Sequence, residues 1–154
     1  MKTIKLKITL TCWEKEIVWR IIEILEDKTL HQLHLAIQKA FGWYNDHLYS
    51  FFMSGIRLDK RSEYTSPIDI EEAGGAIAAT KIKLKDLGLV LKKKFLYVYD
   101  FGDNLDHEIE VVGFGETDNL HKYPQLIGAF GAAPEQYAIR RSDMEEGDEE
   151  EESN

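Results

Sequence analysis

The chain lacks a second cysteine, so Cys12 cannot form an intramolecular disulfide, and a reducing compartment such as the cytoplasm is the expected setting. It also lacks any apolar run long enough to span a bilayer. The N-terminal residues alternate lysine with isoleucine or leucine, which is typical of a strand and not of a secretory signal. No complete catalytic or cofactor signature is present. These absences favour a soluble, cytoplasmic protein without a membrane partner and name no substrate.

The negative charge is concentrated at the C-terminus. Eight of the 28 acidic residues lie in residues 143–154, which contain no Lys or Arg, so the other 20 nearly balance the 19 basic residues. Such a run cannot bury enough apolar surface to offset its ordering entropy. We therefore predict a single domain over residues 1–142 and a disordered acidic tail over residues 143–154, which serves solubility or masks a basic patch.

A hairpin and a helix are predicted at the start of the chain. Apolar and polar residues alternate over residues 4–12, and residues 16–25 are rich in Ile, Val and Trp, as in a returning strand. Residues 29–41 then repeat apolar residues at helical spacing, with Thr29 and Gln32 as a capping box. Gly42 follows where a left-handed C-terminal cap is expected.

Several strands are predicted to follow the helix. A third strand is expected over residues 47–52. Residues 54–80 have little periodicity and indicate a long connection, with one short strand at residues 56–58. Another short strand is predicted over residues 80–84, and a turn or single helical turn over residues 84–91. The predicted fold is α+β, with one main helix packed on a mostly antiparallel sheet and a partly grasp-like ββα start.

A hairpin over residues 95–111 carries the polar residues of greatest interest. Its strands would place Asp100 beside His107, where a carboxylate fixes an imidazole tautomer. With Asp103, this pair could orient a general base or bind a divalent metal. The alternative is that Asp100, Asp103 and Asn104 are turn residues bonded to their own backbone, with Gly102 at positive φ. The turn accounts less well for Asp100, which is predicted to share a face with apolar residues.

Other charged and imidazole side chains have competing interpretations. His31 and His34 lie one helical turn apart and could bind a metal, but histidines on an apolar helix face are more often packed residues. The lysines of residues 81–85 and 92–94 could attract phosphate, which would suit nucleic-acid binding. The favoured interpretation is that they protect a sheet edge, since charged edges prevent unwanted strand pairing.

The chain resembles a known family in two blocks. The first holds Leu33-His34, Ile37-Gln38, Phe41-Gly42-Trp43 and His47-Leu48-Tyr49-Ser50-Phe51, and the second covers residues 95–107. Over residues 3–137 the chain resembles the Ri-plasmid ORF-3-like family, a widespread microbial group associated with transposon or plasmid passengers. The resemblance implies an α+β fold with the helix packed on a sheet, and it implies no established activity. The residues that match the family pattern are His34, Trp43, His47, Tyr99, Asp100, Gly102, Asp103 and His107.

The chain departs from the family pattern in two places. Leu105 stands where the family usually has tryptophan, and residues 131–137 replace a segment rich in cysteine, proline and glycine. The missing cysteine argues against any metal site that depended on it.

These features lead to one functional hypothesis and two alternatives. The leading hypothesis is a cytoplasmic, non-enzymatic binding domain whose pocket takes a protein segment or a small ligand. The first alternative is a hydrolase or nuclease in which His34, His47, Asp100 and His107 hold a divalent metal, and the second is a nucleic-acid-binding protein associated with mobile elements. The expected pocket residues are His34, Trp43, His47, Tyr99, Asp100, Asp103 and His107.

Overall fold

The structure is a computed structural model that describes residues 1–69 and 76–138. Its strands form one eight-stranded sheet in the order β5-β4-β3-β6-β7-β1-β2-β8. The strands are β1 (Lys2–Leu10), β2 (Trp19–Leu25), β3 (Tyr49–Phe52), β4 (Glu63–Thr65), β5 (Ile77–Ala78), β6 (Lys94–Tyr99), β7 (Leu105–Glu116) and β8 (Gln125–Phe130). Neighbouring strands are antiparallel, except that β4 and β5 are parallel. The predicted α+β class and mostly antiparallel sheet are confirmed.

One main helix, α1 (Leu30–Phe41), packs on this sheet and completes the predicted ββα start. Thr29 accepts from the backbone N–H of Gln32, whose side chain accepts in return from the backbone N–H of Thr29. Gly42 ends the helix at φ 75°, in the left-handed region that glycine adopts without strain. Among the described residues, no helix has the length and apolar character needed to cross a membrane.

The core lies between α1 and the face of the sheet that carries alternate residues of β1, β6 and β7. Ile4, Leu6 and Ile8 of β1 are buried there, as the alternation predicts. The same alternation puts Tyr97 of β6 opposite His107 of β7. Polar side chains are therefore carried into the helix-covered side of the sheet, where each needs a hydrogen-bond partner.

The prediction for residues 54–80 is partly wrong. Residues 56–58 are not a strand, because Leu58 has φ 66° and Arg57 instead reaches across to the β6–β7 hairpin. The short strands of this region are β4 and β5, whose sequences show no clear alternation of apolar and polar residues. The predicted strand over residues 80–84 is replaced by two 3₁₀ turns, Ala79–Lys81 and Leu84–Leu87. The lysines of residues 81–85 therefore do not lie along one strand face.

The ends of the chain differ from expectation in other ways. β8 was not predicted, although it extends the sheet beyond β2. The predicted acidic tail over residues 143–154, and the domain boundary before it, lie outside the described residues.

Candidate functional site

A cleft of about 440 Å³ opens beside the N-terminal half of α1. Its other walls come from the segment that joins α1 to β3 and from the turn that follows β4. The cleft is lined by His31, His34, Leu35, Asn45, Asp46, His47, Leu48, Tyr49, Ser66, Pro67 and Ile68. Two of the expected pocket residues, His34 and His47, thus share one concavity.

His34 is held in a closed ring of hydrogen bonds behind this cleft. Its Nε2 lies 2.8 Å from Oδ1 of Asn45, an oxygen that only accepts, so Nε2 carries the ring hydrogen. In the neutral ring Nδ1 is an acceptor, and the hydroxyl of Tyr97 donates to it at 2.6 Å. Gln38 closes the ring, because its Nε2 donates to the Tyr97 hydroxyl and its Oε1 accepts from the backbone N–H of Asn45.

Burial keeps this imidazole neutral. His34 lies almost wholly out of solvent, and burial lowers its pKa to about 4 despite the hydrogen bond to Asn45. Burial also raises the pKa of Tyr97 well above its ordinary value, so the phenol remains a hydrogen donor. The ring is thus a network of neutral groups in which each hydrogen has a defined acceptor.

Tyr49 joins a second histidine to this network. Its ring stacks on that of His34, with centroids 3.7 Å apart and planes 11° from parallel. Its hydroxyl lies 2.7 Å from Nδ1 of His31. Among the described residues the phenol has no other acceptor, so the arrangement that satisfies it has Tyr49 donating to Nδ1. His31 then carries its hydrogen on Nε2, the ring nitrogen that does not contact Tyr49.

His47 stands between two carboxylates at the mouth of the cleft. Its Nε2 is 3.3 Å from Oδ2 of Asp100 and 3.6 Å from Oδ1 of Asp46. Asp100 is buried, whereas His47 and Asp46 are each partly exposed. The buried carboxylate therefore orients an imidazole that remains open to solvent.

Asp46 anchors the C-terminal end of the described chain. Oδ1 accepts from the Tyr99 hydroxyl at 2.7 Å and from Nε2 of Gln136 at 2.9 Å, and Oδ2 accepts from the Tyr137 hydroxyl at 2.6 Å. Burial alone would raise the pKa of Asp46. The three hydrogen bonds outweigh burial and, with the nearby imidazole of His47, hold that pKa well below its usual range. Asp46 is therefore ionised and its oxygens are already occupied.

Trp43 and His107 form a separate buried pair. Nε1 of Trp43 donates to Nε2 of His107 at 3.1 Å, and Nδ1 of His107 donates to the backbone oxygen of Tyr97 at 3.3 Å. Burial lowers the pKa of His107 to about 4, and the backbone hydrogen bonds raise it only in part. Both residues are in the core, and neither lines the cleft.

The predicted contact between Asp100 and His107 is wrong. The register pairs His107 with Tyr97, and Asp100 follows the end of β6 at φ 62°. Oδ1 of Asp100 accepts from the backbone N–H groups of Gly102 and Asp103, at 3.0 and 3.2 Å. Asp100 is thus itself the turn-forming residue and, besides, the partner of His47. The expected positive φ at Gly102 is also wrong, because the left-handed residues of this turn are Asp100 and Asn104.

The four predicted metal ligands do not form one site, although His47 contacts Asp100. His34 and His107 each use both ring nitrogens in hydrogen bonds with other partners. Within residues 1–69 and 76–138, no group of three or more His, Cys, Asp or Glu side chains is placed to hold a metal ion. The set proposed for the hydrolase alternative therefore requires a geometry that these residues do not have.

Sequence reasoning missed most of the network. The pattern of residues 47–52 indicates an ordinary strand and gives no sign of the contacts that Tyr49 makes, and Asn45 and Asp46 precede that strand without a motif of their own. Gln38, Tyr97, Gln136 and Tyr137 were given no role. One available signal was the alternation of β6, which places Tyr97 and Tyr99 on the helix-covered face, where buried hydroxyls need partners. Gln136 and Tyr137 lack any comparable local signal.

The family is established over most of the chain. Residues 2–138 match the family model described as plasmid pRiA4b ORF-3-like protein. The chain belongs to this family. The resemblance inferred from the helix and hairpin blocks is confirmed.

Two relatives of this pRiA4b ORF-3-like protein extend the comparison. Over 112 residues it is 33% identical to the uncharacterized protein y4hQ of Sinorhizobium fredii, covering 70% of this chain and 52% of the relative. The chain thus spans about half the length of this curated relative. It is also similar to the crystal structure of the protein of unknown function MM3350 from Methanosarcina mazei Go1, with a TM-score of 0.74 and 25% identity, covering 94% of this chain and 80% of that one.

Proposed function

We propose that this protein is a non-enzymatic binding domain whose cleft holds a small neutral ligand through carbonyl or amide oxygens of that ligand. The observation that carries the proposal is a set of three polar groups around one cleft. Nε2–H of His31, the Nδ2 amide of Asn45 and the Ser66 hydroxyl have no hydrogen-bond partner within the described ranges. All three can donate, so a ligand with acceptors would satisfy them.

The rigidity of the cleft wall supports binding. Asn45 cannot turn its amide over without breaking the bond from His34, so its Nδ2 stays on the open side. His31 is held by the Tyr49 hydroxyl, and Tyr49 stacks on His34. Donors that are fixed before the ligand arrives lose little side-chain entropy on binding. A volume of about 440 Å³ lies within the range of small-molecule pockets.

The charges around the cleft favour a neutral ligand over an anion. Asp46 is ionised and lines the cleft, where it would repel a carboxylate or phosphate. A cation would find the oxygens of Asp46 occupied by three hydrogen bonds. Leu35, Leu48 and Pro67 supply apolar walls for the carbon part of the ligand.

The surroundings of His47 do not match those of an imidazole that activates a serine or cysteine nucleophile. That kind of catalysis needs a hydroxyl or thiol bonded to the imidazole base. Among the described residues, the contacts of the His47 ring nitrogens are with Asp46 and Asp100, both carboxylates. We therefore assign His47 to the rim of a binding site, where its free nitrogen can contact the ligand.

A fragment titration followed by ¹H–¹⁵N correlation NMR tests this function. N-methylacetamide is the probe, and acetate and methylamine are its charged counterparts. We expect N-methylacetamide to shift amide signals at residues 31, 45–49, 66 and 68 and to bind better than either charged compound. Preferred binding of acetate or methylamine, or shifts confined to other surfaces, would contradict the proposal.

Matched variants identify the groups responsible. H31F removes one donor while keeping an aromatic ring, and S66A removes a hydroxyl with little change in volume. Each should weaken N-methylacetamide binding by about fivefold, the equivalent of about 1 kcal/mol. H121F, at an exposed position outside the cleft, is the control and should leave binding unchanged. Equal affinities for H31F, S66A and the unmodified protein would rule out these donors.

A further inference from the structure

The two residues on either side of Asn45 are bonded to the C-terminal end of the described chain. Oε1 of Gln136 accepts from the backbone N–H of Tyr44 at 2.8 Å, and Nε2 of Gln136 donates to Oδ1 of Asp46 at 2.9 Å. The Tyr137 hydroxyl donates to Oδ2 of Asp46 at 2.6 Å, and the Tyr137 ring lies 5.6 Å from that of Tyr44. Both neighbours of a cleft donor are therefore held by the same two residues.

The backbone of Asn45 depends on such contacts. Asn45 has φ 52°, in the left-handed region that residues with a side chain enter at a cost. Asparagine tolerates this region better than most residues, but the surrounding structure has to stabilise it. Gln38 accepts from the backbone N–H of Asn45, and His34 donates to its Oδ1. Gln136 adds the contacts before and after Asn45, so it helps to fix the direction in which the Asn45 amide meets the cleft.

The C-terminal segment, residues 135–138, is a local unit beyond the last strand of the sheet. Glu135 and Tyr137 are exposed, whereas Gln136 is fully buried. A segment with so little buried apolar surface opens at a lower free energy than the whole domain unfolds. Docking and release of this segment are therefore an equilibrium that a ligand can bias without unfolding the sheet.

We propose that residues 135–138 act as a strap on the ligand cleft. When the strap is docked it positions Asn45 for the ligand, and a bound ligand in turn stabilises the docked strap. Such coupling is reciprocal, so each event changes the equilibrium of the other by the same factor. Gln136 is a positioning residue, because it acts through Asn45 and its neighbours and does not line the cleft. The coupling rests on the proposed binding function, since it requires a ligand in the cleft.

Affinities for N-methylacetamide, measured by NMR titration of the full chain, test the first half of the coupling. Q136A removes both bonds made by Gln136 and should weaken binding at least about fivefold, the lower end of typical couplings between sites. Q125A is the matched control, because Gln125 lies in β8 and does not line the cleft, and it should leave the affinity unchanged. Y137F, at an exposed position, is the second variant if Q136A fails to fold. It removes one bond to Asp46 and should weaken binding about twofold.

Hydrogen exchange tests the second half of the coupling, which a purely structural role of Gln136 would not produce. Saturating N-methylacetamide should slow exchange of the amides of residues 136–138 at least about fivefold in the unmodified protein. The amides of β8 are the reference for any general stabilisation, and the slowing at residues 136–138 should exceed the slowing there. In Q136A the ligand should lose this selective effect.

The outcomes separate the strap from the binding function. Equal affinities of the unmodified protein, Q136A and Y137F for N-methylacetamide would overturn the coupling and leave the binding function in place. Exchange at residues 136–138 that the ligand slows no more than exchange in β8 would have the same consequence. If the unmodified protein does not bind N-methylacetamide in the cleft, the coupling and the binding function both fail.

Discussion

Lowering the pH should destabilise this protein at pH values well above those at which carboxylates become protonated. Burial lowers the pKa of both His34 and His107 from 6.5 to about 4. The unfolded chain therefore binds these two protons first as the pH falls, so stability is lost between pH 6.5 and 4. Above pH 6.5 both states are neutral at these positions and the effect vanishes.

The size of this effect follows from the two pKa values. One pKa unit corresponds to about 1.36 kcal/mol, so each histidine costs about 3 kcal/mol once the pH is below 4. At pH 5 the loss is about 2 kcal/mol for each histidine, or about 4 kcal/mol for the pair. Domains of this kind have unfolding free energies of about 5–15 kcal/mol. By pH 5 the protein should therefore lose between about a quarter and about four-fifths of its unfolding free energy.

Urea unfolding followed by circular dichroism at pH 7 and pH 5 measures this loss. H107Q should lower stability at pH 7, because it disrupts the bond from Trp43, but should reduce the difference between the two pH values by about 2 kcal/mol. H34Q should do the same if H107Q does not fold. H121Q, in an exposed turn, is the control. Equal stability at pH 7 and pH 5 would refute the neutral, buried state of both imidazoles.

Three further substitutions have defined expectations in urea unfolding at pH 7. W43F leaves Nε2 of His107 without its donor inside the core and should cost about 1–3 kcal/mol; no loss would show that the bond is not formed. G131A should cost at least about 2 kcal/mol, because Gly131 has φ 77° and a Cβ there would lie 2.2 Å from the backbone oxygen of Ile17; a neutral result would contradict that close approach. D46A removes the acceptor of three hydrogen bonds and should cost about 2–3 kcal/mol while increasing hydrogen exchange at residues 136–138; unchanged exchange there would contradict the anchoring role of Asp46.

The parts of the fold that could be predicted are those with a local cause. Thr29, Gln32 and Gly42 define α1 by interactions within a few residues, so both ends of the helix were predictable. In β1 and β6, residues on one face of the strand are buried, so the alternation of residue types along the sequence made these strands predictable as well. β4 and β5 are too short to carry a periodic pattern, and they depend on pairing with neighbours far away in the sequence.

The site was less predictable because its contacts are long-range. The pair of Asp100 with His107 assumed that residue 100 continues the strand, but its left-handed φ turns the carboxylate towards His47 instead. Tyr97 is 63 residues from His34, and no local pattern relates them. Histidines that appeared equivalent in sequence therefore have different surroundings. His34 belongs to the hydrogen-bond network, His47 lines the cleft at its solvent-exposed side, and His107 lies in the core.

A closed hydrogen-bond network holds His34 neutral and so fixes the donors of the cleft. Long-range ¹H–¹⁵N NMR of the imidazole nitrogens at pH 6 tests this most directly. The expected spectrum has His34 protonated on Nε2 alone, with Nδ1 accepting a hydrogen bond from Tyr97. An imidazolium, or a ring protonated on Nδ1, would contradict the hydrogen-bond ring and the ligand chemistry inferred from it.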